Sequence, residues 1–219
     1  MSTIKYYNNQ LQIQTDSIAQ KMKNYFIRKI AALNKMVEQY KEEQNWRIVA
    51  SLFAKLGQSV RIMSPYWIHG QKNIEIGNNF SSGPYLWLEA IDEYAGERYY
   101  PKISIGDNVS IQRNCHIGAI NNVVIGSNVL MGSNILITDH AHGDTSKEQN
   151  VLTPVSRPLM SKGPVVVGND VWIGDNVVIL PNVSLGDGCV VGAGTVVTKS
   201  FPARSVIGGN PARLLKCIE

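Results

Sequence analysis

The chain has 219 residues, 44% of them apolar, and a formal charge of +4, enough to bury a sizeable core in one domain without staples. Its cysteines, Cys115, Cys189 and Cys217, are odd in number and far apart, which excludes a disulfide framework or a CxxC metal pair and suits a reducing cytoplasm. No run reaches the roughly 18 apolar residues of a membrane span, no signal-peptide pattern opens the chain, and no basic block points to nucleic acid; the small positive charge fits an anionic small ligand.

From Asp16, the apolar residues Ile18, Met22, Phe26, Ile30, Leu33, Val37 and Tyr40 recur every three or four positions, with Lys21, Arg28, Lys35 and Glu38 off the stripe. The spacing predicts an amphipathic helix capped by Asp16, its stripe a packing face rather than a membrane-surface one. After a polar stretch at 42–45, a shorter helix is expected to carry Ile48, Leu52, Phe53 and Leu56 inward and to stop at Gly57. Residues 1–57 thus read as an N-terminal α-helical segment.

A period of six then takes over. Val167, Ile173, Ile179, Leu185, Val191 and Val197 stand six apart, Val171, Val177, Val183, Cys189 and Thr195 follow the first five by four, and Gly168, Gly174, Gly186 and Gly192 sit directly after the large aliphatics. Six specified positions would all be apolar by chance in about one case in sixty. The same phase recurs at Ile105, Ile111, Ile117, Ile125 and Met131, and more weakly at Ile62, Ile68 and Ile74. Such a unit, a short strand and a turn, forms one flat side of a prism, three units close a coil, and coils stack as parallel strands. The regular region is placed at 58–200 from a first coil near Val60, with loops at 81–102 and 138–162 and a tail at 201–219. Long loops on a rigid solenoid are where function concentrates.

The motifs Ile125-Gly126-Ser127-Asn128-Val129, Val167-Gly168-Asn169-Asp170-Val171-Trp172-Ile173-Gly174, Val191-Gly192-Ala193-Gly194-Thr195-Val196-Val197-Thr198-Lys199 and Gly208-Gly209-Asn210-Pro211-Ala212-Arg213 together resemble the maltose and galactoside O-acetyltransferases and the related capsule and lipopolysaccharide O-acetyltransferases. The resemblance covers roughly 56–216. It implies a mainly β fold, a left-handed parallel β-helix, assembled as a homotrimer with acetyl-CoA between neighbouring helices, in a cytoplasmic enzyme of polysaccharide biosynthesis. Handedness follows from the resemblance alone, since the general rule for parallel crossovers predicts the opposite hand. The long first helix departs from the short N-terminal segment of the maltose enzymes.

The chemistry implied is O-acetylation of a sugar or polysaccharide precursor, without a covalent acyl-enzyme or a metal. An alcohol is a far weaker acid than imidazolium, so a base must act as the C–O bond forms, and neutral histidine suits this. The loop opening Thr138-Asp139-His140-Ala141-His142-Gly143 offers two candidates. Counting without a gap from Ile125 places the family's histidine at His142; His140 is the rival, although in a strand Asp139 would point away from it unless the chain turns. Asn114 takes the family's oxyanion-stabilising amide role, with a corner asparagine as the plain alternative. Trp172, Gly174 and Ala193 fall along the acetyl-pantetheine groove, and Thr198, Lys199 and Arg213 near the adenine and phosphate end. Asp175 stands where relatives often carry a small hydroxyl residue. Tyr66, Trp67, Tyr85 and Trp87 offer ring faces to a sugar, Tyr85 and Trp87 foremost. Cys115 reads as an inward small residue, and His69 and His116 as structural.

Three other readings compete. A γ-type carbonic anhydrase shares the fold but spaces its zinc histidines more widely. A non-catalytic assembly subunit would bind CoA without turnover. Transfer to a sugar nitrogen is the nearest alternative chemistry; serine O-acetylation lacks that family's long N-terminal domain.

Overall fold

The computed structural model describes residues 2–144, 146 and 151–219, with side chains from residue 20 onward. One continuous α-helix, Ser2–Ala50, replaces the two expected from sequence. Asp16 lies within this helix and does not cap it, and the side chain of Ile18 falls outside the described residues. The polar stretch at 42–45 is no break because Glu and Gln are good helix formers. An ion pair Glu38–Lys41 at 2.9 Å precedes the stretch and Glu43–Arg47 at 2.7 Å bridges its end. The stripe expected to pack is exposed along its length, from Met22 and Phe26 to Leu33 and Tyr40. Gly57 does not end a helix: a Cβ there would lie 2.4 Å from the Gly77 carbonyl carbon, so the glycine lets two coils stack.

The rest of the chain winds as six coils, each laying one short strand on each of three sheets. The first sheet stacks Lys55–Leu56, Ile74–Ile76, Lys102–Ile105, Asn122–Ile125, Val165–Val167 and Ser184–Leu185. The second stacks Arg61–Ile62, Ser81–Ser82, Ser110–Ile111, Leu130–Met131, Trp172–Ile173 and Val190–Val191, then Ser205–Gly208 with its antiparallel partner Arg213–Cys217. The third stacks Tyr66–His69, Leu86–Ala90, His116–Ala119, Leu136–Thr138, Val178–Ile179 and Val196–Val197. Within the coils every pairing is parallel; in one column Trp67, Trp87, His116 and Leu136 are successive partners.

The period-six residues form the core. Val167, Ile173, Ile179, Leu185, Val191 and Val197 are all buried, as are Val171, Val177, Val183, Cys189 and Thr195 four positions on. Burying each large aliphatic contributes about 1.5 to 3 kcal/mol before ordering costs. Asparagines hold the corners at positive φ and form ladders: the Asn114 amide donates to Asn134 at 2.7 Å, and Asn134 donates to Asn176 at 3.0 Å.

Coil length explains where function was expected. Equivalent corner residues lie 18 apart in the regular coils, 20 and 29 apart earlier, and 42 apart across the main insertion. Much of the loop expected at 81–102 is regular coil, since Leu86, Leu88 and Ala90 point in while Trp87 and Glu89 point out. The true insertion there carries the small hairpin Glu93–Tyr94 with Glu97–Arg98. The second insertion opens with a hairpin of His140–His142 against Leu159–Ser161.

Candidate active site

The hairpin begins where the chain turns at Asp139. Its carboxylate is fully buried and accepts the Ile120 and Asn121 N–H groups, both at 2.9 Å, left free where the preceding coil turns its corner. The same Asp139 Oδ1 lies 3.1 Å from His140 Nδ1, and Thr138 Oγ1 is also 3.1 Å from that nitrogen. The chain does turn at Asp139, which breaks strand alternation and lets Asp139 reach His140. A carboxylate only accepts, so whenever the ring is neutral the shared proton sits on Nδ1 and the lone pair falls to Nε2.

His142, opposite Leu159 in the hairpin, is exposed. Among the described residues its side-chain contact is edge-on to the Tyr94 ring, with centroids 5.1 Å apart. The two histidines thus differ sharply: His140 is 10% exposed with an anionic partner, while His142 lies open to water.

Across from His140 stands a second polar cluster. His116 Nε2 is 2.9 Å from Glu89 Oε1, Trp87 Nε1 donates to Glu89 Oε2 at 3.0 Å, and the Trp87 and His116 rings stack with centroids 4.3 Å apart. Burial pushes the Glu89 carboxyl up, but the His116 hydrogen bond and charge, the Trp87 N–H and the charge of His140 outweigh it and hold the group below its usual 4.5. Gly118 lies between the two clusters, where a Cβ would sit 3.2 Å from His140 Cε1 and 3.3 Å from His116 Nε2.

Beside this cluster opens a cavity of about 490 Å³, whose lining includes Tyr66, Trp67, Tyr85, Trp87, Asn114 and His116. It brings Tyr85 and Trp87 together with Asn114. Tyr85 has φ 64, a conformation that costs a bulky residue energy, and is 61% exposed. Asn114 sits at a corner with φ 60 and has one amide proton committed to Asn134.

A second groove, also about 490 Å³, is lined by Leu130, Trp172, Gly174, Asp175, Gly192 and Ala193 among others. It joins Trp172, Gly174 and Ala193, three of the residues expected along one ligand. Asp175 is accounted for locally: its Oδ1 accepts the Ser133 N–H at 2.6 Å, closing a corner. Thr198, Lys199 and Arg213 are exposed and outside this lining; Lys199 Nζ rests 5.6 Å from the Phe201 ring centroid. Arg213 follows Ala212, whose N–H donates to the Val196 carbonyl at 2.8 Å, so it comes near the turn carrying Thr198. The groove and the histidine cluster share no lining residue.

Sequence reasoning missed Glu89 and set His116 aside as structural. The two are 27 residues apart, and no local motif joins them. The outward position of Glu89, two after Trp87 in an alternating strand, was the available signal.

Residues 164–199 match the family model described as bacterial transferase hexapeptide (six repeats). WbbJ of Escherichia coli (strain K12), named for O-acetyl transfer in lipopolysaccharide biosynthesis, is 37% identical over 158 residues, 71% of this chain and 77% of that protein. The crystal structure of a maltose O-acetyltransferase from Clostridium difficile 630 superposes with a TM-score of 0.55 at 27% identity, covering 81% of this chain and 76% of that one. A galactoside acetyltransferase in complex with coenzyme A gives a TM-score of 0.52 at 28% identity, covering 81% and 71%. The three-sided coil is accordingly the left-handed parallel β-helix that the motifs led us to expect. The chain belongs to the hexapeptide-repeat acetyltransferase family, and it is an enzyme of that class.

Proposed function

We propose that the protein transfers an acetyl group from acetyl-CoA to a hydroxyl of a sugar or polysaccharide precursor, with His140 as general base. The observation that carries this reading is the Asp139–His140 contact at 3.1 Å, which orients a nearly buried imidazole beside Gly118, whose lack of a side chain leaves the ring edge uncrowded. His140 Nε2 takes the hydroxyl proton as the oxygen attacks the thioester carbon. The tetrahedral oxyanion collapses, the C–S bond breaks, and the proton passes from the imidazolium to the CoA thiolate, leaving an acetyl ester and free CoA. General-base catalysis of this kind contributes about 10² to 10⁴ in rate. Asn114, with one amide proton given to Asn134, has a second to offer the oxyanion.

Trp172, Gly174 and Ala193 hold the acetyl-pantetheine arm in their shared groove, and Thr198, Lys199 and Arg213 meet the adenine and phosphate end, where cations neutralise phosphate. Tyr85 and Trp87 contact the acceptor. The family resemblance implies a homotrimer with sites between subunits, and the separation of the donor groove from the histidine cluster, which share no lining residue, supports one copy supplying the base and its neighbour the donor groove. Among the described residues no helix is long and apolar enough to cross a membrane, and the free cysteines suit the reducing cytoplasm.

The test is CoA release from acetyl-CoA with pooled mono-, oligo-, amino and nucleotide sugars. Release should depend on a hydroxyl acceptor, collapse in His140→Ala and survive in His142→Ala. Collapse only in His142→Ala would move the base to that residue. Release with amino sugars alone would make the reaction N-acetylation, and saturable CoA binding without release would make the protein a binding subunit.

A further inference from the structure

The cluster of Trp87, Glu89 and His116 is more ordered than an exposed surface needs to be. Trp87 is 45% exposed, yet its N–H is bonded to Glu89, its ring is stacked on His116, and His116 is bonded back to the other oxygen of Glu89. This closed triangle fixes a half-exposed ring in one orientation, the arrangement of a preorganised contact surface. Trp67 is the register partner of Trp87 on the neighbouring strand and is 69% exposed. Trp67, Trp87 and His116 therefore form a strip of rings two strand spacings long, about 9 to 10 Å.

Tyr85 is an independent sign of function. The equivalent corner positions of later coils hold Asn114, Asn134 and Asn176, all at positive φ, which asparagine tolerates. Tyr85 adopts the same φ without an asparagine's advantage and presents its ring to the same cavity. Backbone strain that brings a ring to a cavity marks a residue kept for contact with a ligand.

The chemistry of the lining identifies that ligand. Among the described residues the lining holds ring faces, an amide and an imidazole but no lysine or arginine, and the Glu89 carboxylate adjoins it through Trp87 and His116. Rings pack against the apolar face of a pyranose, while carboxylate, amide and imidazole bond its hydroxyls. We infer that this cavity is the acceptor subsite and that it takes a neutral glycan of more than one ring rather than a nucleotide-activated or otherwise anionic sugar. The inference rests on the acetyl-transfer reading for its catalytic meaning, but its binding content stands separately.

Calorimetric titration of the full-length protein with methyl glycosides, neutral trisaccharides of different linkage, chitosan trisaccharide and UDP-glucose, followed by acceptor KM, tests it. At least one neutral trisaccharide should bind about tenfold more tightly than its methyl monosaccharide, and more tightly than UDP-glucose or chitosan trisaccharide. Trp67→Ala, and Trp87→Phe, which keeps the ring but loses the bond to Glu89, should raise acceptor KM several-fold while leaving KM for acetyl-CoA unchanged. Preference for UDP-glucose or for the amino trisaccharide, no binding by any neutral glycan, or a KM unmoved in both variants overturns the subsite. Trisaccharide binding lost in Trp67→Ala without CoA release would uphold the subsite and overturn acetyl transfer. Sugar-dependent release indifferent to both tryptophans would do the reverse.

Discussion

Asp139 and His140 are neighbours in sequence whose side chains nonetheless meet, Asp139 Oδ1 standing 3.1 Å from His140 Nδ1, because the aspartate turns inward to accept two backbone N–H groups. Asp139→Asn leaves one of those donors facing an NH₂ group and removes the anion that holds the Nδ1 tautomer. We expect kcat to fall by at least about a hundredfold and stability by about 1 to 3 kcal/mol. Steady-state kinetics and urea denaturation check the two effects separately; unchanged kcat with lost stability would make Asp139 purely structural.

Gly118 is a glycine for reasons of space. Its added Cβ would lie 3.2 Å from His140 Cε1 and 3.3 Å from His116 Nε2, so Gly118→Ala must displace one ring or the other. The expected result is a loss of kcat of about tenfold or more with a stability change near 1 kcal/mol, and with acetyl-CoA affinity untouched. A fully active Gly118→Ala enzyme would show that the space between the rings is not used.

Glu89 makes the fold acid-sensitive in a definite direction. Its folded carboxyl is held below the usual 4.5, since the bonds and charges around it outweigh its burial. A depressed carboxyl stabilises the folded state fully above 4.5, and that contribution is lost as pH falls through the folded value. Glu89→Gln should therefore lose less stability than the parent between about pH 6 and pH 3. Urea midpoints at both pH values measure this, and equal losses would contradict it.

Ile117 tests the core. It is fully buried and stacks in register between Leu88 and Ile137 of the adjoining coils. Ile117→Ala should cost about 2 to 5 kcal/mol, measured by denaturant unfolding, and it should slacken His116 on the same strand. A cost below about 1 kcal/mol would mean the coil collapses around the gap.

The helical region shows the limit of reading periodicity locally. The stripe from Met22 to Tyr40 was legible as a helix, but its end was misplaced because Gly57 looked like a helix stop and 42–45 like a break. Helix propensity and ion pairs carry the helix through that stretch to Ala50, and Gly57 answers instead to the backbone of the next coil. At 81–102, exposed aromatics disguised a regular strand: Leu86, Leu88 and Ala90 keep the inward alternation while Trp87 and Glu89 serve the surface.

By itself the sequence determined the prism, because a period of six sends the same aliphatic positions inward in every coil and burial rewards that arrangement wherever the coil begins. It also put Trp172 and Gly174 in one coil and Ala193 in the next, where all three line one groove, and His140 at the opening of the longest insertion. Only the tertiary structure decided the partners. Glu89 meets His116, and His140 flanks the same Gly118, because the coils that carry them are stacked at spacings of 29 and 20 residues. Side chains pointing outward leave no period in the sequence, so which of them meet depends on the stacking register of the coils.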